Sequence, residues 1–499
     1  MSEAIATVQS KAASGGDDIV QHDVEAVNSA ARRKLYAARV PIYPKLAHGF
    51  YRRLKWIVLG ATLGVYYILP WIRWSRGPGM PDQAILVDFP HRRFYFFFIE
   101  LWPDELYYLT GLLVIAALSI FLATALFGRL WCGYSCPQTV WTDLFIAVER
   151  FVEGDRNQRI KLARQNWTAG KAAKKIVKHI LWILIGAATG GAWIFYFHDA
   201  PTVFPQLFTG DAPFTAYFFL GLLTLTTYIF AGAMREQVCT YMCPWPRIQA
   251  ALTDAETLQV TYKTDRGEPR GAHKKDESWE GRGDCVDCKA CVAACPMGID
   301  IRDGAQLECI NCALCIDACD EIMSKIGRPK RLIGYDTDQN IERRTKGERS
   351  MMRLVRPRTI LYAVLLLAIS GLMTWSLAHR ATLDIDALRD RTPPFVRLSD
   401  GSIRNAFTVK IVNRATKERP LELHVDADRP VTLSGVGDAF EGDQAAIIAP
   451  QDNVRSIRVF VTAPPHAADK ATFPLTFTLV DPKTGEKAVR RSTFLTEAR

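Results

Sequence analysis

Five long apolar runs, at 56–72, 106–127, 179–197, 212–234 and 359–378, carry no Asp, Glu, Lys or Arg between their polar flanks. Helices of such length match the ~30 Å hydrocarbon core of a bilayer, so each run is read as a membrane span. The first run contains Pro70, which makes its end the least sharply defined. Beyond the fifth run the period changes to two. Phe407, Val409 and Ile411 alternate with polar residues, as do Ile457, Val459 and Val461, and Leu475, Phe477 and Leu479. Turn-forming residues at 481–485 separate such runs. About seven short strands in a stretch of that length predict a sandwich of immunoglobulin type. The first 50 residues show neither period and read as a mostly disordered arm. No apolar core of a signal peptide follows the first residue within about 30 positions.

The expected layout is therefore a helical bundle carrying two further folds. It comprises an arm at 1–50, a four-span bundle at 51–250, a polar cysteine-rich segment at 251–355, a fifth span at 356–380 and a β domain at 381–499. Two glycine pairs, Gly60 with Gly64 and Gly186 with Gly190, offer small faces for close helix contact. One helix stripe, Val140, Trp141, Leu144, Phe145, Val148 and Phe151, reads as amphipathic and is expected to lie on the membrane surface.

Charge adds a direction. The chain has 62 Lys and Arg against 52 Asp and Glu, a formal balance of +10. Basic residues number nine up to Lys55, four at 73–105, ten at 129–178, none at 198–211 and 21 at 234–358. This alternation places the N-terminus, the 129–178 loop and the cysteine-rich segment in the cytoplasm and the β tail in the periplasm. The surplus then reports topology, and no nucleic-acid partner is expected. The basic stretch 325–358 is explained by its place beside the fifth span.

All 12 cysteines fall between Cys132 and Cys319, a clustering that suits metal chemistry in a reducing compartment rather than disulfides. Cys285, Cys288, Cys291 and Cys295-Pro296 have the bacterial ferredoxin spacing, which Cys309, Cys312, Cys315 and Cys319 repeat. In that arrangement three close thiolates hold three corners of a cubane and the distant fourth serves the other cluster. Cys285, Cys288, Cys291 and Cys319 are thus assigned to one [4Fe-4S] cluster, and Cys295, Cys309, Cys312 and Cys315 to a second. A pair of zinc sites is the alternative, but it needs no third cysteine at this spacing. Asp320 stands where a second proline would follow Cys319. Neither a dinucleotide fingerprint nor a P-loop is present, so the electron donor is expected to be a protein or a quinone.

The other four cysteines form a repeat. Cys132-Gly-Tyr-Ser-Cys136-Pro and Cys239-Thr-Tyr-Met-Cys243-Pro lie 107 residues apart, each after the second span of a pair. Proline fits the first position of a new helix, placing Cys136 and Cys243 at helix N-termini, where thiolates are favoured. Parallel repeats imply a pseudo-two-fold axis that could bring all four thiols together, and soft thiolates select Cu(I). A redox dithiol or a further cofactor remains open as an alternative use. Histidines His179, His198 and His379 lie at span ends, which argues against a buried bis-histidine haem.

Taken in order, the two paired spans with Cys-x3-Cys-Pro, the two ferredoxin motifs, the fifth span and the β tail resemble the CcoG/FixG/RdxA family of cytochrome c oxidase accessory proteins. The resemblance implies a polyferredoxin of the bacterial inner membrane assisting assembly of the cbb-type oxidase. It also implies reduction of Cu(II) to Cu(I) at Cys132, Cys136, Cys239 and Cys243, for delivery to oxidase subunits or a copper chaperone. A quinone-linked electron relay and a non-enzymatic assembly factor are the competing functions.

Overall fold

A computed structural model describes residues 21–28, 40–77, 80–273, 278–415, 417–435, 439–465 and 471–496. It divides into two compact units, with the boundary near the end of the fifth span.

In the larger unit, five helices are long and apolar enough to cross a membrane. The first, α1 (Phe50–Ile68), continues into a tight turn at Leu69–Trp71 that contains Pro70. A small antiparallel sheet, β1 (Ile85–Asp88), β2 (Arg93–Phe96) and β3 (Ile99–Leu101), precedes α2 (Leu106–Phe127). The short α3 (Leu130–Tyr134) carries Cys132 and leads into α4 (Pro137–Glu153). Span three, α5 (Ala169–Ile194), starts ten residues before its apolar run, because Thr168 caps it by accepting a hydrogen bond from the Lys171 amide at 3.2 Å. Span four, α6 (Phe214–Thr227), runs into a wide π-turn at Tyr228–Met234. A second π-turn, Val238–Met242, precedes α7 (Trp245–Leu252).

The two span pairs are not built alike. Spans three and four pack closely: a side chain at Gly186 or Gly190 would lie 3.0 and 2.9 Å from the carbonyls of Thr224 and Leu220. Gly60 and Gly64 face no neighbour. Span one instead leans on span three, where the hydroxyls of Tyr66 and Tyr67 reach Thr189 at 2.7 and 3.0 Å. Span two meets the fifth span, α10 (Pro357–Ala378), at Gly111 beside Met373 and at Phe121 beside Tyr362.

α4 also departs from expectation. Its apolar stripe is buried inside the unit, with Phe145 stacked on Trp182 at 5.2 Å. Its polar side is buried too. Asp143 pairs with Arg52 at 2.9 Å, and Glu149 pairs with Arg159 and Arg235. A stripe pattern identifies an apolar face, but it cannot show that the opposite face finds partner charges.

The cysteine-rich segment contributes α8 (Ala290–Ala294), α9 (Leu314–Lys325) and the two-stranded pairing of β4 (Gln259–Tyr262) with β5 (Ile333–Asp336). Part of the N-terminal arm is ordered against it. The His22 amide donates to the Cys288 carbonyl at 3.0 Å, and those of Val27 and Asn28 donate to Gly298 at 2.8 and 3.1 Å. The rest of the arm, 1–20 and 29–39, lies outside the described residues.

The smaller unit is a two-sheet sandwich. One sheet holds β6 (Leu383–Arg389), β7 (Val396–Arg397), β8 (Ile403–Asn413), β10 (Thr432–Gly435) and β13 (Asn453–Ala463). The other holds β9 (Arg419–Ala427), β11 (Ala439–Glu441), β12 (Gln444–Ala449), β14 (Thr472–Val480) and β15 (Lys487–Leu495). Ten strands are present where the alternation suggested about seven, since short pieces such as β7 and β11 are too brief to show a period. The three triplets that signalled strands all point into one apolar core, where Phe407 and Phe477 meet at 5.1 Å.

Candidate redox site

Two cavities hold the ferredoxin cysteines. One is lined by Cys285, Cys288, Cys291 and Cys319, with Tyr262 and Arg302. The other is lined by Cys295, Cys309, Cys312 and Cys315, with Met297 and Ile310. The pairing across the two motifs is the one that the spacing predicts. Cys291 lines both cavities, so they are neighbours. Among the described residues, no three His, Cys, Asp or Glu side chains converge on a point that would hold a single ion. A zinc site draws four ligands to within about 2.3 Å of one point, whereas a cubane needs thiols spread around a void. The donor set fits two iron–sulfur clusters. Left-handed backbone at Asp287, Lys289, Asn311 and Ala313 turns each loop around its void. Without iron, burial raises these thiols; Cys295 is pushed up to about 12 and Cys309 to about 11.

The first Cys-x3-Cys-Pro repeat is docked on the second of these loops. Gly133 touches it so closely that a Cβ there would sit 2.7 Å from the Ile310 carbonyl. Arg129, only 7% exposed, donates to the carbonyls of Leu307, Cys309 (3.1 Å) and Pro246 (2.5 Å). Cys132 is buried and donates to Gln249 Oε1 at 3.1 Å. Cys132, Met297, Ile310 and Cys312 form one apolar cluster, against which Cys239, Cys295 and Cys309 pack. Burial pushes both Cys132 and Cys239 up to about 12, and each feels the charge of the other thiols of the repeat. The fold thus brings all four repeat cysteines into one neighbourhood. It makes two of them protonated thiols rather than the ready thiolates expected from helix termini, because desolvation outweighs the helix dipole.

The second repeat has the same backbone plan with different side chains. Gly128 and Arg235 occupy equivalent positions, and both adopt positive φ, 61° and 48°. Arg235 accepts that strain while donating to Glu149 at 2.6 Å and to the Gly232 carbonyl at 2.8 Å. Glu236 stands where the first repeat has Arg129, and both are buried. Cys239 lies between two cavities. A narrow one is lined by Lys55, Asp143, Arg235, Glu236, Met297 and Ile310. A wider one, about 600 Å³, is lined by Met242, Cys243, Arg247 and Glu308. Sequence reasoning missed Arg129, Met297 and Glu236. Arg129 and Glu236 were findable by laying the two repeats side by side, whereas Met297 carries no pattern of its own.

A membrane-anchored electron-transfer protein is the class this fold and site define, with a two-cluster ferredoxin fold set against a thiol-lined membrane edge. Comparison with known families agrees. A "4Fe-4S dicluster domain" model matches residues 234–338, a "4Fe-4S binding domain" model matches 109–153, and the "IG-like fold at C-terminal of FixG" matches 373–497. Protein RdxB of Cereibacter sphaeroides is 52% identical over 86% of this chain and 90% of its own length. Nitrogen fixation protein FixG of Rhizobium meliloti is 47% identical over 95% of this chain and 96% of its own. Protein RdxA of Cereibacter sphaeroides is 49% identical over 89% of this chain and 93% of its own. The chain belongs to the FixG/RdxA family.

Proposed function

We propose that this protein reduces Cu(II) to Cu(I) at Cys132, Cys136, Cys239 and Cys243, in support of cbb-type cytochrome c oxidase assembly. One observation carries the reading: Met297 and Ile310 line both the cavity around Cys295, Cys309, Cys312 and Cys315 and the narrow cavity beside Cys239. A two-residue wall is all that separates ferredoxin thiols from membrane-edge thiols.

On this reading Cys285, Cys288, Cys291 and Cys319 hold one [4Fe-4S] cluster and Cys295, Cys309, Cys312 and Cys315 the other. When bound, these clusters supply one-electron storage and transfer. The chain's own residues do the rest. Ile299, Ile310, Met297 and Leu314 exclude water from the path. Arg129 clamps the Cys309 loop to the first repeat. Soft sulfur ligands bind Cu(I) in preference to Cu(II), which favours the reduced product. The positive-inside bias supports the inner bacterial membrane, with the ferredoxin part cytoplasmic and the sandwich periplasmic. An external cytoplasmic reductant supplies electrons, and oxidase subunits or a copper chaperone receive Cu(I).

A second reading has its own support. The "4Fe-4S binding domain" match at 109–153 contains only Cys132 and Cys136, which suggests that the four repeat cysteines hold a further iron–sulfur centre in a relay. Two measurements on anaerobically purified protein separate the readings. Copper reduction predicts eight irons per chain and, after dithionite reduction, formation of a Cu(I)–chelator complex on addition of Cu(II). More than eight irons, with reoxidation by quinone and not by Cu(II), selects the relay.

A further inference from the structure

The two repeats differ in the residues that face outward. Position by position the first has Arg129, Gly133, Tyr134, Ser135 and Cys136, and the second Glu236, Thr240, Tyr241, Met242 and Cys243. Tyr134 is 4% exposed and Tyr241 is 52% exposed. Met242 is also 52% exposed, and Cys243 is the only exposed cysteine of the 12. Gly133 lets the first repeat press against the Cys309 loop, and Thr240 carries the side chain that Gly133 lacks. The backbone differs as well. The second repeat is wound as a π-turn, a form frequent at functional sites, while the first is ordinary helix. Its wide cavity gathers two thiols and a thioether, from Cys239, Cys243 and Met242, beside the Glu308 carboxylate and the Arg247 guanidinium.

We infer that the second repeat is the port for a soft monovalent or reducible metal ion, with Met242 and Cys243 as its outer ligands and Cys239 as the inner one. The first repeat is the closed half that faces the ferredoxin cysteines. Thiolates and a thioether are the donor set that selects Cu(I) and its congener Ag(I) over harder ions. The side-chain exchange supports the direction: Glu236 favours a cation near Cys239, whereas Arg129 opposes one near Cys132. The inference rests on the copper reading for its natural substrate. Its geometry, however, is tested by a probe that undergoes no reduction.

The probe is one equivalent of Ag(I) per chain, added to full-length protein in detergent, with intact clusters verified by their visible absorption. Timed alkylation with N-ethylmaleimide and peptide mapping then report each thiol. Cys243 is expected to label at least tenfold faster than Cys132, and Ag(I) to protect Cys243 and Cys239. Met242→Leu keeps the side-chain volume without sulfur and is expected to weaken Ag(I) protection about tenfold. Ser135→Ala, at the equivalent position, is expected to change it less than twofold. Protection of Cys132 and Cys136 with Cys243 unprotected would overturn the port, as would unchanged protection in Met242→Leu. If Ag(I) behaves as expected yet Cu(II) fails to reoxidise reduced protein, the port stands and the copper-reductase reading falls.

Discussion

The halves of the Cys-x3-Cys-Pro repeat share a backbone plan and divide its uses. Gly128 and Arg235 hold the same left-handed φ at the same offset, so the chain takes the same turn before each motif. At the next residue the charge inverts, from Arg129 to Glu236. The first half spends its small residue, Gly133, on contact with the Cys309–Cys312 loop, while the second leaves Tyr241, Met242 and Cys243 open. Each half is also held by the helix that follows the other. Gln249, after the second motif, accepts from the Cys132 thiol, and Gln138, after the first, donates to the Phe230 and Arg235 carbonyls at 2.8 and 3.1 Å. A repeat of this kind conserves a fold and lets its two copies specialise, one toward the source of electrons and one toward the acceptor.

That division can be broken most severely at the inner thiols. Cys132→Ser is expected to slow single-turnover Cu(II) reduction at least 100-fold without changing iron content, read by stopped-flow absorbance. Cys243→Ser is expected to act mainly through a raised KM. Next comes the close approach. Gly133→Ala places a methyl group 2.7 Å from a backbone oxygen, which costs about 1–3 kcal/mol and forces the first repeat off its loop. Reduction is expected to fall about tenfold and the melting temperature to drop. Thr240→Ala, its counterpart, is expected to stay within twofold.

Exchanging the buried charges sharpens the contrast further. Arg129→Gln removes a guanidinium bonded to the Cys309 carbonyl, so the neighbouring cluster becomes harder to reduce and its midpoint potential falls in an EPR-monitored titration. Glu236→Gln is expected to leave that potential in place and to raise KM for Cu(II) a few-fold.

The smallest effect is on pH. Burial alone would raise the Glu149 carboxyl, but Arg235, Arg159 and Lys178 hold it below its ordinary value of about 4.5. A depressed carboxylate contributes stability above its unfolded pKa and loses it as pH falls through the folded one. The melting temperature is therefore expected to be flat from about pH 5 to pH 8 and to fall below about pH 4. Because Arg235 opens the second repeat, that half is expected to loosen first.

Much of this was legible in the sequence, for identifiable reasons. Apolar runs declare spans because a bilayer demands them, and the ferredoxin spacing declares which thiols share a void because a cubane has fixed corners. The glycine pairs were half right. Gly186 and Gly190 meet Thr224 and Leu220, while Gly60 and Gly64 meet nothing, since spacing alone cannot say which helix lies opposite. The burial of α4 was missed because its carboxylates find their cations on α1, on Arg159 and on Arg235, far away in the chain. The docked stretch of the arm was missed because it bonds through backbone amides, which every sequence possesses.

The central claim is that electrons held by the ferredoxin part leave through the repeat cysteines to copper. Its most direct test is a single-turnover mix of anaerobic, dithionite-reduced protein, freed of excess reductant, with Cu(II) and a Cu(I)-specific chelator. The account predicts that cluster absorbance recovers and Cu(I) appears with one common rate constant, one Cu(I) per electron lost, and that both signals vanish in Cys132→Ser/Cys239→Ser. Cluster absorbance that stays bleached in the presence of Cu(II), or a double variant as fast as the native chain, would contradict it.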